Sequence, residues 1–267
     1  MHIHDVHDLA GLGAVAGLFG SLWGDEATTH PAPLDVLIAL THAGHQVCAA
    51  RREGELIGAG LCVTTPDPGL TYSMLLAVAP RHRGEHGAGG VGTALKHHQR
   101  AWALGVGAST MRWTFDPLVR HNAWFNLVRV GARVSAYERD FYGEMTDALN
   151  AGDRSDRWVV DWDLGAVSPV GAGTGVRTHA GAPPGTEPPI DSQVRDLGPD
   201  GLPAVRELGR RVWVRIPRDI LEIRRTSTRD TLAWRLTTRA WLGDPVAAGA
   251  RVLGISRSGW YSLERAA

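Results

Sequence analysis

From Leu75 to Leu95 the chain reads Leu-Leu-Ala-Val-Ala-Pro-Arg-His-Arg-Gly-Glu-His-Gly-Ala-Gly-Gly-Val-Gly-Thr-Ala-Leu. This is an apolar strand, a glycine-rich turn carrying Arg83, and a helix start. The first turn of a helix leaves backbone N–H groups unpaired, and its dipole is positive there. Glycines let such a backbone approach phosphate oxygens without a Cβ in the way. Arg83 would add a charge-assisted bond. A pyrophosphate-bearing cofactor is the natural ligand, although glycine loops also serve as plain connectors before helices. No Gly-Lys-Ser/Thr follows, so the loop is not a P-loop. No strand ending in an acid lies about 20 residues on, as a dinucleotide fold requires.

Other chemistries have less to stand on. Formal charge is balanced at zero, so nothing global draws the chain to nucleic acid or an anionic membrane. Cys48 and Cys62 fall in apparent strands outside any C-x-x-C pair and read as buried thiols in a reducing compartment. No apolar run reaches the roughly 20 residues that span a bilayer, which points to the cytoplasm. Only one of the 28 basic residues is a lysine, Lys96. It falls in a polar helical stretch, and the bias reads as compositional. His2, His4 and His7 resemble a metal tract but sit at a terminus expected to fray, so no metal is expected. His97 and His98 are adjacent and point to different sides of a helix. His121 is held in reserve beside Asn122.

The elements that must position the loop follow from periodicity. Asp8–Trp23 and Leu34–Ala43 read as helices, the second closed by Gly44. Gln46–Arg51, Leu56–Thr64 and Leu70–Val78 read as a strand meander. Val91–Leu104 follows as a helix with Leu95, His98, Ala101 and Trp102 on one face. A strand at Thr110–Phe115, a helix at Val119–Val130 and strands at Arg133–Phe141 and Trp158–Leu164 come next. Residues 166–189 are rich in Gly and Pro and read as a linker between a domain at 1–165 and an extension at 190–267. In that extension Leu202–Val214, Asp219–Arg225 and Asp230–Leu242 read as helices. Arg251–Ser256 and Trp260–Glu264 read as a hairpin. It is too short for a large core and should pack on the first domain or on a second copy, which leaves a homodimer open.

This order of elements over residues 1–164 resembles the GNAT superfamily of acyl-CoA N-acyltransferases. Leu76-Ala77-Val78-Ala79-Pro80 before Arg83-Gly84 looks like that family's fourth strand and motif A. Ala123–Ala132 looks like its fourth-helix motif. Arg112–Leu118, Arg120–Leu127 and Phe141–Met145 look like a bacterial GNAT group with a C-terminal extension similar to Ile216–Glu264. The resemblance implies an α/β (α+β) fold: a mixed, mostly antiparallel sheet flanked by helices, with a smaller α+β extension. It implies that Leu76, Ala77 and Val78 pair with the pantetheine arm where two parallel strands splay. It also implies that Gly89, Gly90, Val91, Gly92 and Thr93 hold the pyrophosphate, with Arg83 and Gly84 beside them.

Two departures stand out. Glu85-His86-Gly87-Ala88 is inserted into the usual Arg-Gly-x-Gly-x-Gly pattern. Leu127 stands where many members carry a tyrosine that protonates the leaving thiolate.

Acyl transfer needs a neutral amine, an oxyanion contact and a proton route. The N–H of Ala77 or Val78 would serve the oxyanion. Asp116 is the candidate base, although Asp-Pro at a strand end is also a common turn. Tyr142 would replace the absent acid, and with Glu144 it lies where GNAT folds line the acceptor pocket; surface packing is the alternative. Asn122 would face the pantetheine and Asn126 the acceptor, or both would form an ordinary solvated face. Trp113 and Trp124 would border the acceptor pocket. The reading is N-acyl transfer of an acetyl or other short acyl group such as succinyl, from coenzyme A to a small amine or amino acid. A CoA-binding protein without transfer, or a decarboxylase acting on a malonyl thioester, are the alternatives.

Overall fold

The computed structural model describes residues 1–24, 31–83, 90–143, 153–166 and 187–266. Most of the linker segment, together with Gly84, Gly89 and Glu144, lies outside the described residues. The chain divides into two compact units, Met1–Trp113 with Trp162–Gly171, and Thr114–Asp161 with Ala172–Ala267.

The first unit opens on strand β1 (His2–Asp5), helix α1 (Leu9–Trp23) and helix α2 (Leu34–His42). Asp8 caps α1 by accepting the Gly11 N–H at 2.8 Å. Strands β2 (Gln46–Arg52), β3 (Glu55–Thr64) and β4 (Leu70–Val78) then form an antiparallel meander. The N-terminus does not fray: β1 pairs with β2 from His2 to Asp5. The Asp5 carboxylate locks it by accepting from Gln46 Nε2 at 2.8 Å and meeting His98 Nε2 at 2.8 Å.

Helix α3 (Val91–Gly105) and strand β5 (Thr110–Phe115) follow. The buried face of α3 is Val91, Thr93, Leu95, Lys96, Gln99 and Ala103, not the expected row through His98, Ala101 and Trp102. Of the three polar residues on this inner side, Lys96 and Gln99 both find a polar partner in Ser73.

In the second unit, helix α4 (Arg120–Ala123) widens into a π-helical stretch over Trp124–Val130. It ends at Gly131, whose φ of 81° is the left-handed cap that only glycine adopts cheaply. Strands β6 (Arg133–Glu138) and β7 (Arg157–Asp163) complete a seven-stranded sheet of order β1-β2-β3-β4-β5-β7-β6. The β1–β2, β2–β3, β3–β4 and β6–β7 pairs are antiparallel and β4–β5 is parallel, so the fold is the mixed, mostly antiparallel sheet flanked by helices expected from sequence.

The C-terminal part adds a second sheet of order β11-β12-β10-β9-β8. Its strands are β8 (Gln193–Leu197), β9 (Pro203–Leu208), β10 (Arg211–Arg215), β11 (Arg251–Ile255) and β12 (Trp260–Glu264). The helix expected at Leu202–Val214 is instead the β9–β10 hairpin, turning at Gly209 with φ 59°. Leu202, Val205 and Leu208 imitate a helical spacing. Only Val205 is buried, while Leu202 and Leu208 face solvent. Strand β8 had no counterpart in the sequence reading. Helices α5 (Ile220–Thr226) and α6 (Thr228–Thr238) are capped by Asp219 and Ser227, a π-helical turn spans Arg239–Gly243, and α7 is Asp244–Ala247.

Candidate active site

Strand β4 positions the first set of candidates. On one side β3 pairs with it along its length, Gly58 with Val78 through Thr64 with Thr71. On the other side β5 pairs in parallel only at Leu70–Thr110, Thr71–Met111 and Tyr72–Arg112. From Ser73 onward that edge has no strand partner among the described residues, so the peptide groups of Leu76, Ala77 and Val78 present the ladder positions that an extended ligand would fill. A register shift against β3 leaves Met74 as a bulge at the start of this stretch, 46% exposed. A splay between these two strands is what the resemblance implies.

The leading end of α3 stands beside that edge. The amides of Val91, Gly92 and Thr93 precede the helix's first internal bond, Ala94 N–H to the Gly90 carbonyl at 3.0 Å. No side chain caps them at Gly90. Gly58 of β3 makes the approach possible. A Cβ there would lie 2.8 Å from Val91 Cγ1, 2.9 Å from Leu95 Cδ1 and 2.9 Å from the Ala77 carbonyl oxygen. The absent side chain therefore sets how closely α3 sits on β3 and β4. After β4, a short 3-10 turn at Pro80–His82 is tied to β3 through Glu55, which accepts from Arg81 and meets His82 at 3.3 Å. Arg83 Nε donates to the Val78 carbonyl at 3.1 Å, so this guanidinium sits at the C-terminal end of the β4 edge.

Sequence reasoning missed the polar cluster beneath this edge. Lys96 is 3% exposed; its Nζ donates to Ser73 Oγ at 2.8 Å and stands 3.7 Å from the centroid of the Trp113 ring. Ser73 in turn donates to Gln99 Oε1 at 2.9 Å. Trp113 is buried and packs edge-on against Trp162, so it lines this cluster. The i, i+4 row Val91, Leu95, Gln99, Ala103 was the signal that turned Gln99, and Lys96 with it, inward.

The remaining candidates belong to the second unit. Asp116 is an ion-pair hub. Arg235 Nη1 and Nη2 donate to its two oxygens at 2.9 and 3.0 Å, Arg224 donates as well, and the Leu118 N–H caps Oδ1 at 2.9 Å. Burial works against its charge, but Arg235, then Arg224 and Arg157, outweigh that and hold the carboxyl well below the usual range. A carboxylate so engaged is a poor proton acceptor, and the geometry favours a structural role. Tyr142 is 52% exposed, and its hydroxyl lies 3.1 Å from Thr114 Oγ1. Asn126 is buried within the π-helical turn, where its carbonyl accepts the Gly131 and Ala132 amides. Asn122 is half-buried. The Arg257 guanidinium lies 5.0 Å from the Trp124 ring. Leu127, at the position of the family's tyrosine, is buried.

Residues 15–126 match the family model described as Acetyltransferase (GNAT) family. That segment is a GNAT domain. Its activity class is acyl-CoA-dependent N-acyl transfer. Similar solved structures include an N-acetyltransferase from Staphylococcus aureus Mu50, at 15% identity and a TM-score of 0.50, covering 61% of this chain and 98% of that one. A ribosomal-protein-alanine N-acetyltransferase from Brucella melitensis is similar at 18% identity and a TM-score of 0.48, over 61% and 99% of the two chains. An aminoglycoside 6'-N-acetyltransferase complexed with coenzyme A is similar at 13% identity and a TM-score of 0.47, over 61% and 97%. No curated protein matches the chain. Among the described residues of the GNAT domain and its extension, no helix is long and apolar enough to cross a membrane, and no cluster of His, Cys, Asp and Glu is arranged to hold a metal ion.

Proposed function

We propose that this GNAT protein moves an acetyl or other short acyl group from coenzyme A to the amine of a small molecule or amino acid, by direct attack of the amine on the thioester. The observation that carries the reading is the pairing of two features in one unit, both among the described residues: the β4 edge left without a strand partner beyond Tyr72, and the α3 amides that begin the helix with no side-chain cap at Gly90. The pantetheine amides supply hydrogen-bonding groups at spacings that suit a strand edge, and the diphosphate suits the positive end of a helix. In this reading Leu76, Ala77 and Val78 take the pantetheine arm, and an Ala77 or Val78 amide serves the developing oxyanion. Gly90, Val91, Gly92 and Thr93 take the pyrophosphate, Arg83 closes the far end of the edge, and Trp113 borders the reacting end.

A thiol of ordinary acidity leaves without a strong acid, so the buried Leu127 does not by itself argue against turnover. The test is calorimetric binding of acetyl-CoA followed by an amine panel, read by release of free thiol and by mass of the acylated product. Acylated amine with stoichiometric thiol supports the proposal. Tight binding without product would instead favour a CoA-responsive binding protein, and loss of CO₂ from malonyl-CoA would favour a decarboxylase. Failure to bind acetyl-CoA would remove the reading altogether.

A further inference from the structure

Helix α3 buries a lysine and a glutamine where packing alone would be served by leucine or methionine of similar length. Lys96 is the sole lysine in the chain, and it makes no ion pair among the described residues. A buried amine without an anion is costly to keep unless it has work to do as a neutral group. The groups facing it from the neighbouring elements are Ser73 of β4, Trp113 of β5, Cys62 of β3 and Cys48 of β2. Burial pushes both thiols up, Cys62 to about 11 and Cys48 to about 12, so neither supplies a negative charge near neutrality. Burial pushes the Lys96 ammonium down to about 7 from 10.5.

The place of this cluster gives it a use. Tyr72 and Arg112 are the last residues that pair β4 with β5, and Ser73 and Trp113 are the next on each strand. Both touch Lys96. The amine head therefore lies where the two strands begin to part, one residue before the Met74 bulge and at the head of the edge assigned above to pantetheine. Ser73 Oγ is held between Lys96 Nζ and Gln99 Oε1, a single hydroxyl that bridges an amine and a fixed acceptor.

We propose that Ser73 and Lys96 form the proton relay of the acyl transfer, Ser73 handing protons between the substrates and Lys96. The inference rests on the acyl-transfer reading above. The Ser73 hydroxyl turns from Gln99 Oε1 toward Lys96, and the incoming ammonium gives a proton to Ser73 Oγ as the serine's own proton passes to the lone pair of Lys96 Nζ, which leaves a neutral amine and a charged lysine. The amine nitrogen attacks the thioester carbon, and the C–S bond breaks as the tetrahedral adduct collapses. The proton on Lys96 returns through Ser73 to the departing thiolate. The amide nitrogen sheds its second proton to water, so one ammonium and one thioester become one amide, one thiol and one proton. The relay supplies a proton route in a chain whose Leu127 cannot donate one.

Two measurements test it. Because Lys96 is the only lysine, ¹³C-lysine labelling gives a single side-chain signal, and its NMR titration should have a midpoint near 7. A midpoint above 10 would overturn the relay. With an amine identified by the panel, kcat in the wild type should rise with pH through a limb near 7. In Lys96→Met that limb should vanish and kcat should fall by about a hundredfold, while acetyl-CoA affinity stays within about twofold. Ser73→Ala, a smaller change, should lower kcat similarly at unchanged acetyl-CoA affinity, and Lys96→Arg should not rescue, since a guanidinium stays charged. Intact kcat and an unmoved limb in Lys96→Met or Ser73→Ala would dismiss the relay and leave acyl transfer standing. Absence of acetyl-CoA binding in the wild type would dismiss both.

Discussion

Arg235 grips both oxygens of Asp116 with both ends of its guanidinium, and both side chains are buried. Asp153 and Arg224 close the same network, Arg235 Nη2 reaching Asp153 Oδ2 at 2.6 Å and Arg224 Nη2 reaching it at 2.7 Å. Two carboxylates and two guanidiniums thus satisfy one another. Breaking such a buried set from one side strands an uncompensated charge, at a cost of about 3–5 kcal/mol. Arg235→Met should therefore lower unfolding free energy by that order in chemical denaturation at pH 7. A change under about 1 kcal/mol would mean the network is an ornament of the fold.

The same network sets an acid limit. The Asp116 pKa is depressed in the folded chain, so its stabilisation is complete above the unfolded carboxylate range near ~3.9 and is lost as pH falls through and below it. Asp156 is also held low: burial opposes its charge, but hydrogen bonds from Arg239 and Tyr137 outweigh it. Melting temperature should hold between pH 8 and 5 by this contribution and drop below about pH 4. Asp116→Asn should flatten that drop while lowering stability at neutral pH.

Gly58 predicts a coupling between core packing and ligand binding. A methyl at this position meets Val91, Leu95 and the Ala77 carbonyl at 2.8–2.9 Å, so Gly58→Ala must lift the start of α3 or bend β4. Overpacking of this kind costs about 1–3 kcal/mol. The variant should also lose acetyl-CoA affinity by tenfold or more, measured by calorimetry. Unchanged affinity would show that the α3 amides do not contact the ligand.

Gly92→Glu places an anion at the helix end proposed for the diphosphate. Its Cα lies in the first turn of α3, where glutamate is compatible with the helix. Acetyl-CoA binding should disappear while circular dichroism and melting temperature stay near the wild type. Retained binding would place the ligand elsewhere.

Ending the chain at residue 189 would remove Arg224, Arg235 and Arg239, the partners of Asp116, Asp153, Asp140 and Asp156. It would also remove the Tyr261 hydroxyl, which donates to the Pro117 carbonyl at 2.9 Å. The shortened protein should be insoluble or should unfold without cooperativity. A soluble fragment with a sharp melt would show that residues 1–165 fold alone.

Local chemistry made much of this protein legible from its residues. Apolar runs bounded by turn residues marked β2, β3 and β4, and the ends of α1 and α3 fell within a residue or two of expectation. The glycine turn before Val91 identified the helix end, because uncapped amides and missing side chains are written in neighbouring positions. What neighbours do not encode had to wait for the tertiary structure. Whether Leu202, Val205 and Leu208 mark a helix or a hairpin depends on what covers them. Lys96 reads as one residue of a polar helical stretch until Ser73, 23 positions away, meets it in the interior. Asp116 reads as an open base until Arg235, 119 positions away, closes on it. A side chain's charge state follows from its surroundings, and here those surroundings come from parts of the chain that no local pattern connects.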